Sequence, residues 1–433
     1  MAVNAIPAPI RAIGRAGLTA IAINGMVGAG IFALPANVAQ LLGPSSLIAY
    51  FIAGAAVLLV ALCFAEAGSQ FDSSGGPYLY AREAFGPFAG FQAGMLLTLS
   101  RVAGAAAITN AFSANLGFLW PAAAQGAGRV FAITLVIAVL TWINCLGIRP
   151  GVRTINILTC GKLIPLAVFC AVGFFYADSR SVSFALPTAP GSLQQATLLL
   201  IYAFGGFEFA AIPSEEVVDP RRTLPAVLMA SVGFVVLLYL SIHWVAMGTL
   251  PGLASSATPL ASSARMFLGP AGGMLLAVGA LFSTTGTNSA AILIGSRMLY
   301  ALARGGQLPA VLGRLHPRYR TPVVSTLLFA VPAWAAAVGG TFGQLAALGA
   351  LSRVLYYTTT CLAVPVLRRK LPREGRRFEL PGGWCIPVLA LGVCAWLLSG
   401  STREQALIAG ATMLAGAMVY RAFARPTREN SGM

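Results

Sequence analysis

Charged side chains lie inside long apolar segments at Arg101, Lys162, Glu208 and Arg353. A charge near the centre of a lipid bilayer is costly, so such residues face a water-filled cavity, a substrate or a partner of opposite charge. Arg101 and Glu208 would both approach the membrane midplane, which leaves two interpretations open. The two side chains form a structural ion pair, or one of them contacts a substrate.

Lys162 stands apart because the chain has only one other lysine, Lys370. Its segment, ILTCGKLIPLAV, is apolar on both sides of the charge. An ammonium group at that depth needs a cavity or partner carbonyl groups, and in such a place it is a candidate proton carrier. The alternative is a lysine whose flexible side chain reaches the cytoplasmic interface.

Two apolar segments are interrupted by glycines, one at 25–30 (GMVGAG) and one at 205–206, just before Glu208. Irregular backbone at membrane depth is tolerated only where it lines a cavity or is buried in protein. Interrupted helices at the midplane are where secondary transporters build their substrate sites. Close helix packing through glycine is the alternative explanation. The matched interruptions favour a binding cavity.

The two interruptions offer opposite partial charges. A half-helix that begins near Ala29 and Gly30 would direct backbone N–H groups at an anion, such as a carboxylate. The second interruption would supply free carbonyl groups near Tyr202 and Gly205, which suit an ammonium group. Together they predict a site for a zwitterion.

Other chemistry finds no support in the sequence. His243 and His316 lie in no pattern of carboxylates or cysteines, so we expect no metal site and no cofactor. Phosphate-binding loops and hydrolase motifs do not occur, which argues against an enzyme. The seven cysteines lie in or beside apolar segments without metal-binding spacing, as small buried residues do.

These residues belong to a chain with the composition of a membrane protein. Of 433 residues, 58% are hydrophobic and 9% charged. A membrane-spanning helix takes about 20 apolar residues, and the sequence predicts an all-α integral membrane protein with twelve transmembrane helices. A loop is expected at 73–88 and a polar linker before residue 271. The spans are expected at about 17–39, 46–68, 88–119, 129–148, 154–176, 194–225, 226–249, 271–303, 322–339, 343–366, 384–399 and 404–423.

The formal net charge of +16 reflects membrane topology. Most basic residues fall in short loops on alternate sides of the spans, which is the positive-inside pattern. No basic stripe with interleaved aromatic residues occurs, so we expect no nucleic-acid partner. Twelve spans with this asymmetry predict both termini in the cytoplasm. We expect no cleaved signal peptide, because no charge precedes Arg11.

Four motifs resemble one family of transporters. They are NGMVGAGIFALP at 24–35, GGPYLYAREAFGP at 75–87, FGGFEFAAIPSEEVVDPRRTLP at 204–225 and SRMLYALARGGQLPAVLGRLHPRYRTPVVS at 296–325. In combination they are similar to the bacterial amino acid permeases of the amino acid–polyamine–organocation (APC) superfamily. The resemblance runs from about residue 14 to about 370.

The resemblance implies a single transporter domain over residues 1–433 with the LeuT-type 5+5 inverted repeat. The first repeat would cover about 14–176 and the second about 194–366, with discontinuous helices 1 and 6. Two additional helices would follow at about 384–423.

The resemblance also implies roles for individual residues. The amides of Ala29 and Gly30 would bind the substrate carboxylate. The carbonyl groups of Met26, Tyr202 and Gly205 would bind its ammonium group, and the Tyr202 ring would act as a gate. Many members have a serine where this chain has Ala29, which removes one hydroxyl contact to the carboxylate.

Lys162 matches a lysine that occupies the sodium position of sodium-coupled relatives. Its expected partners are the first interruption and the hydroxyl groups of Ser283 and Thr284. Arg101 matches a position that often lines the pocket, and an arginine there disfavours cationic substrates.

We therefore expect a sodium-independent transporter of amino acids, with neutral ones favoured, in the cytoplasmic membrane. It would work by alternating access, coupled to protons or by exchange, with membrane lipid as its surroundings. One alternative is an antiporter of the arginine/agmatine or polyamine type, because Glu208 could help bind a cation. An alternative of another class is a non-transporting amino acid sensor, which would need a regulatory domain.

Overall fold

The computed structural model describes residues 14–71, 76–147, 152–187, 189–211, 217–370, 378–380 and 382–423. The regular elements within these ranges are helices, of which fourteen are α-helices. They are α1 Arg15–Met26, α2 Ala29–Leu42, α3 Ser46–Ser69, α4 Gly76–Phe85, α5 Pro87–Leu119, α6 Gly126–Cys145, α7 Val152–Gly173, α8 Ser192–Phe204, α9 Pro220–Thr249, α10 Pro259–Arg304, α11 Val323–Gly339, α12 Phe342–Lys370, α13 Cys385–Ser399 and α14 Arg403–Phe423.

Many of these helices have the length and composition of membrane spans. Among the described residues, seven helical stretches are long and apolar enough to cross a bilayer: Ala29–Ser69, Pro87–Leu119, Gly126–Cys145, Arg222–Thr249, Pro259–Arg304, Phe342–Lys370 and Arg403–Phe423. Three shorter apolar helices cover Thr159–Gly173, Val323–Gly339 and Cys385–Ser399. The prediction of an all-helical protein with apolar spans is confirmed.

Two segments differ from the sequence-based expectation. The stretch expected as a loop at 73–88 contains a ten-residue helix, α4, whose buried face includes Leu79 and Tyr80. The expected polar linker before residue 271 is helical from Pro259, and α10 bends at Gly269, where φ is +68°. Glycine tolerates this left-handed backbone, and Pro270 follows it, so the helix continues through a bend. The first part of α10 is less apolar, and apolar content alone therefore predicts a start that is too late.

The first interruption separates α1 from α2. Backbone of α1 ends at Met26, and Val27 and Gly28 leave the helical conformation before α2 begins at Ala29. The second interruption follows α8. Gly205 is extended and Gly206 has φ +123°, a conformation that strongly favours glycine. A short 3-10 helix over Phe207–Ala211 continues the chain.

The two interruptions touch each other. A Cβ on Gly25 would lie 2.8 Å from the carbonyl oxygen of Gly206, closer than real side chains approach. The hydroxyl of Tyr239, on α9, lies 2.8 Å from the Met26 carbonyl oxygen and 3.2 Å from that of Ala203. The end of α1 and the end of α8 are therefore fixed to one another and to α9.

Helix α5 lies between α10 and α12 and packs along both. Its buried face carries small residues together with Ser100 and Arg101. Small residues allow helices in a membrane to approach closely. This packing brings polar side chains of α5, α10 and α12 to the region where the two interruptions meet.

Candidate substrate-binding site

A cavity lies where the two interruptions face α5, α10 and α12. Its walls are mostly small or apolar, with five polar or charged side chains, and belong to the two interruptions and to α5, α10 and α12. The lining residues are Gly25, Met26, Gly28, Ala29 and Gly30; Ser100, Arg101, Gly104, Ala105 and Ile108; Tyr202, Ala203, Gly205 and Phe209; and Thr287, Ala291 and Arg353.

The first amide groups of α2 face this region. The N–H groups of Ala29, Gly30 and Ile31 open a helix, so helix geometry gives them no partner within α2. A helix N-terminus carries partial positive charge and suits an anion. The Thr287 hydroxyl also lines the cavity and finds no hydrogen-bond partner among the described residues. This end of the cavity can donate hydrogen bonds to a carboxylate.

The carbonyl groups expected to bind an ammonium group are partly engaged within the protein. The Met26 oxygen accepts hydrogen bonds from the Gly28 amide at 2.8 Å and from the Tyr239 hydroxyl at 2.8 Å. The Tyr202 oxygen lies 3.1 Å from Nη1 of Arg353, which donates to it. A Cβ added to Gly205 would overlap the same guanidinium group.

Arg353 was recognised from sequence as a charge inside an apolar segment, but it was not assigned to the substrate site. It is 4% exposed, lines the cavity, and its Nη1 also donates to the Ile201 carbonyl oxygen at 3.3 Å. The guanidinium thus caps the last carbonyl groups of α8, where a cation is favourable. Its position inside an apolar segment was the available signal, but α12 and α8 are too far apart in sequence for that signal to place it.

Arg101 and Glu208 form an ion pair, with Arg101 Nη2 2.9 Å from Glu208 Oε1. Glu208 is fully buried and also accepts hydrogen bonds from the hydroxyl groups of Tyr356 and Tyr357 at 2.9 and 3.1 Å, and from the Gly206 amide at 2.9 Å. Arg101 lines the cavity and Glu208 lies behind it. The structure therefore places the pair in the cavity wall, with the arginine on the inner side.

Lys162 meets the first interruption from α7. Its Nζ donates to the carbonyl oxygens of Asn24 at 2.8 Å and Val27 at 2.7 Å. The Ser283 hydroxyl also donates to the Val27 oxygen, at 3.4 Å. The Thr284 hydroxyl instead donates within its own helix, one turn back, at 2.7 Å. The ammonium group thus stands at the C-terminal end of α1, where a cation is favourable.

The chain resembles known membrane transport proteins over nearly its whole length. The chain matches the model of the amino acid permease family over residues 13–424. It belongs to that family. It is 27% identical to a methylthioribose transporter of Bacillus subtilis, over 94% of this chain and 92% of that protein. It is 27% identical to a branched-chain amino acid permease of the same organism, over 90% and 87%, and 30% identical to the rat large neutral amino acids transporter small subunit 2, over 94% and 80%.

Membership in the permease family explains the long apolar helices as those of a multi-pass membrane protein, and the family consists of transporters and permeases. The acidic pair of the third motif, Glu215 and Glu216, lies outside the described residues. Within the described ranges, no group of three or more His, Cys, Asp or Glu side chains is arranged to hold a metal ion.

Proposed function

We propose that this chain is a sodium-independent secondary transporter of amino acids in the cytoplasmic membrane, working by alternating access. The observation that carries the proposal is the meeting of two interrupted helices at one cavity lined by both. Helix ends at such a meeting offer amide groups to an anion and carbonyl groups to a cation, which is the chemistry of a zwitterion site.

The proposed architecture has twelve spans in the LeuT-type 5+5 inverted repeat. We count α1 with α2, and α8 with the 3-10 helix, as one discontinuous span each; α4 lies between spans, and the other ten helices cross once. The interrupted spans are then the first and the sixth, five apart, as an inverted repeat requires. The repeats cover about 14–176 and 194–366, with two additional helices at about 384–423 and both termini in the cytoplasm.

In the proposed binding mode, the amides of Ala29 and Gly30 receive the substrate carboxylate. The ammonium contact falls mainly to the Gly205 carbonyl, because the Met26 and Tyr202 oxygens already accept hydrogen bonds. The Tyr202 ring, which lines the cavity, would act as its gate.

In this mode Glu208 does not touch the substrate. Four donors surround its carboxylate, so it holds Arg101 and the interruption in place. It is a positioning residue for the guanidinium that faces the substrate.

Coupling is assigned to Lys162. Its ammonium group holds the end of α1 by two carbonyl groups, and Ser283 shares one of them. A fixed cation there makes a bound sodium ion unnecessary. The Thr284 hydroxyl donates a hydrogen bond to a backbone carbonyl of its own helix, α10, and so stabilises that helix. The driving force is a proton or an exchanged solute.

Uptake of radiolabelled amino acids by purified protein in liposomes tests the proposal. Uptake that needs no sodium supports it. An antiporter for arginine, agmatine or polyamines is disfavoured by two guanidinium groups in the cavity wall. Binding of an amino acid without any flux across the liposome would indicate a sensor and would contradict the proposal.

A further inference from the structure

The cavity wall has an imbalance of charge. Two arginines line it, Arg101 on α5 at 6% exposed and Arg353 on α12 at 4% exposed. Among the described lining residues there is no acidic side chain. Glu208, behind the wall, supplies one negative charge for the two guanidinium groups. A buried charge without compensation is strongly unfavourable.

No other described carboxylate compensates the second guanidinium. Glu66, also buried, is held by Arg368 through two contacts, Nε to Oε1 at 2.5 Å and Nη2 to Oε2 at 2.6 Å. Lys162 adds a third buried cation, on the far side of the first interruption. Among the described residues, the buried side chains around the two interruptions therefore carry more positive than negative charge.

Hydrogen bonding shows the same excess. Glu208 already accepts four hydrogen bonds, and its Oε1 lies 3.7 Å from Arg353 Nε, too far for another. Nε of Arg101 and Nε of Arg353 are both buried without a hydrogen-bond partner among the described residues. The Thr287 hydroxyl at the same cavity is also unpartnered. These unused donors suit a carboxylate, which arginine binds with good geometry.

We propose that the substrate is an acidic amino acid and that Arg101 and Arg353 receive its side-chain carboxylate. The inference rests on the proposed function, in which the amides of α2 take the α-carboxylate and leave the guanidinium groups for a second anion. A neutral zwitterion adds no net charge and leaves the excess positive charge in place. An aspartate or glutamate neutralises it. A cationic amino acid increases it.

The test measures how strongly unlabelled compounds compete with a radiolabelled amino acid for uptake by the full-length protein in liposomes. Unlabelled L-glutamate and L-aspartate are compared with their near-isosteric amides, L-glutamine and L-asparagine, so that charge is the main difference. We expect the acids to compete at least ~10-fold more strongly, equivalent to about 1.4 kcal/mol. If the amides compete as well as the acids, the inference is overturned while the uptake still supports an amino acid transporter. Lack of uptake of any amino acid would contradict the proposed function itself.

A variant separates substrate recognition from structural support. Arg101→Gln is expected to reduce the preference for glutamate over glutamine at least ~10-fold, whereas Arg101→Lys, which keeps the charge, retains part of it. Arg265→Gln, which removes an exposed arginine elsewhere, should leave the preference unchanged. A purely structural role would lower uptake of both substrates equally and would overturn the assignment of Arg101. The wild-type competition decides the inference even if Arg101→Gln does not fold.

The ammonium group is tested by 2-oxoglutarate, which has two carboxylates and no amine. Arg353 already donates a hydrogen bond to the Tyr202 carbonyl oxygen. A ligand without an amine therefore shows whether binding needs an ammonium group at the Gly205 carbonyl. We expect it to compete at least ~10-fold less strongly than glutamate. Equal competition would overturn the assignment to amino acids, because Arg353 would then replace the substrate's own cation.

Discussion

Replacing Lys162 with methionine removes the charge at the first interruption while nearly keeping the side-chain volume. The ammonium group makes two hydrogen bonds, to the carbonyl oxygens of Asn24 and Val27, at 2.8 and 2.7 Å. Charge-assisted hydrogen bonds contribute about 1.5–3 kcal/mol each, and a buried carbonyl left without a donor costs about 1–3 kcal/mol. At the lower limit of about 1.5 kcal/mol for each of the two hydrogen bonds, the substrate-binding conformation of the α1 end is expected to lose about 3 kcal/mol of stability.

A loss of about 3 kcal/mol corresponds to a reduction of about a hundredfold in the population that can transport. The measurement is the initial rate of amino acid uptake in liposomes, with and without sodium, after the amount of inserted protein has been equalised. Lys370→Met is the matched control, because this lysine also donates to two backbone carbonyl groups, those of Glu83 and Ala84, but is exposed, so that water can replace it. Uptake by Lys162→Met at the wild-type rate, or strict sodium dependence of the wild type, would refute the role of Lys162.

Three further perturbations have defined outcomes. Gly30→Ala should weaken substrate binding in a thermal-shift titration at least ~10-fold, because the new Cβ would lie 2.7 Å from a backbone atom of α8; Gly410→Ala, with nothing within 4 Å, is its control, and normal binding by Gly30→Ala would exclude the site. Tyr356→Phe should lower the free energy of unfolding by about 1.5–3 kcal/mol, because it removes a hydrogen bond to the Glu208 carboxylate. Tyr50→Phe should change it little, since that hydroxyl has no partner among the described residues, and equal effects of the two would show that the carboxylate network does not matter. Excess arginine, lysine or agmatine should compete for uptake about a hundredfold less strongly than accepted substrates, because like charges at ~6 Å and an effective dielectric of 20 repel by about 2.8 kcal/mol; strong competition by these cations would favour the cation antiporter.

The helix interruptions were accessible from sequence because their cause is local. Glycine at 25–30 and at 205–206 frees the backbone irrespective of what packs against it. The long apolar helices were predictable for the same reason, since apolar length is a property of a segment. Pairing of Arg101 with Glu208 was one of two interpretations, and only the geometry shows that the ion pair forms while Arg101 still lines the cavity.

The position of Arg353 depends on long-range packing and could not be read from its neighbours. Its guanidinium bonds the carbonyl groups of Ile201 and Tyr202, about 150 residues earlier in the chain. The same limit applies to Tyr239, which looks like an ordinary core aromatic residue in sequence. Helix α4 was missed because its glycine, its proline and its short length resemble those of a turn, whereas burial of its apolar face stabilises it as a helix.

The contact between the two interruptions restricts how the protein can move. Gly25 and Gly206 leave no space for even a methyl group between their backbones, and the Tyr239 hydroxyl fastens both ends to α9. The ends of α1 and α8 therefore cannot slide past each other, because close-packed backbone does not deform continuously. We therefore expect α1, α8 and α9 to rotate together as one rigid body. The cavity would then open between this group and the group of α5, α10 and α12. A substrate that contacts both groups of helices would hold them together and stabilise the closed state.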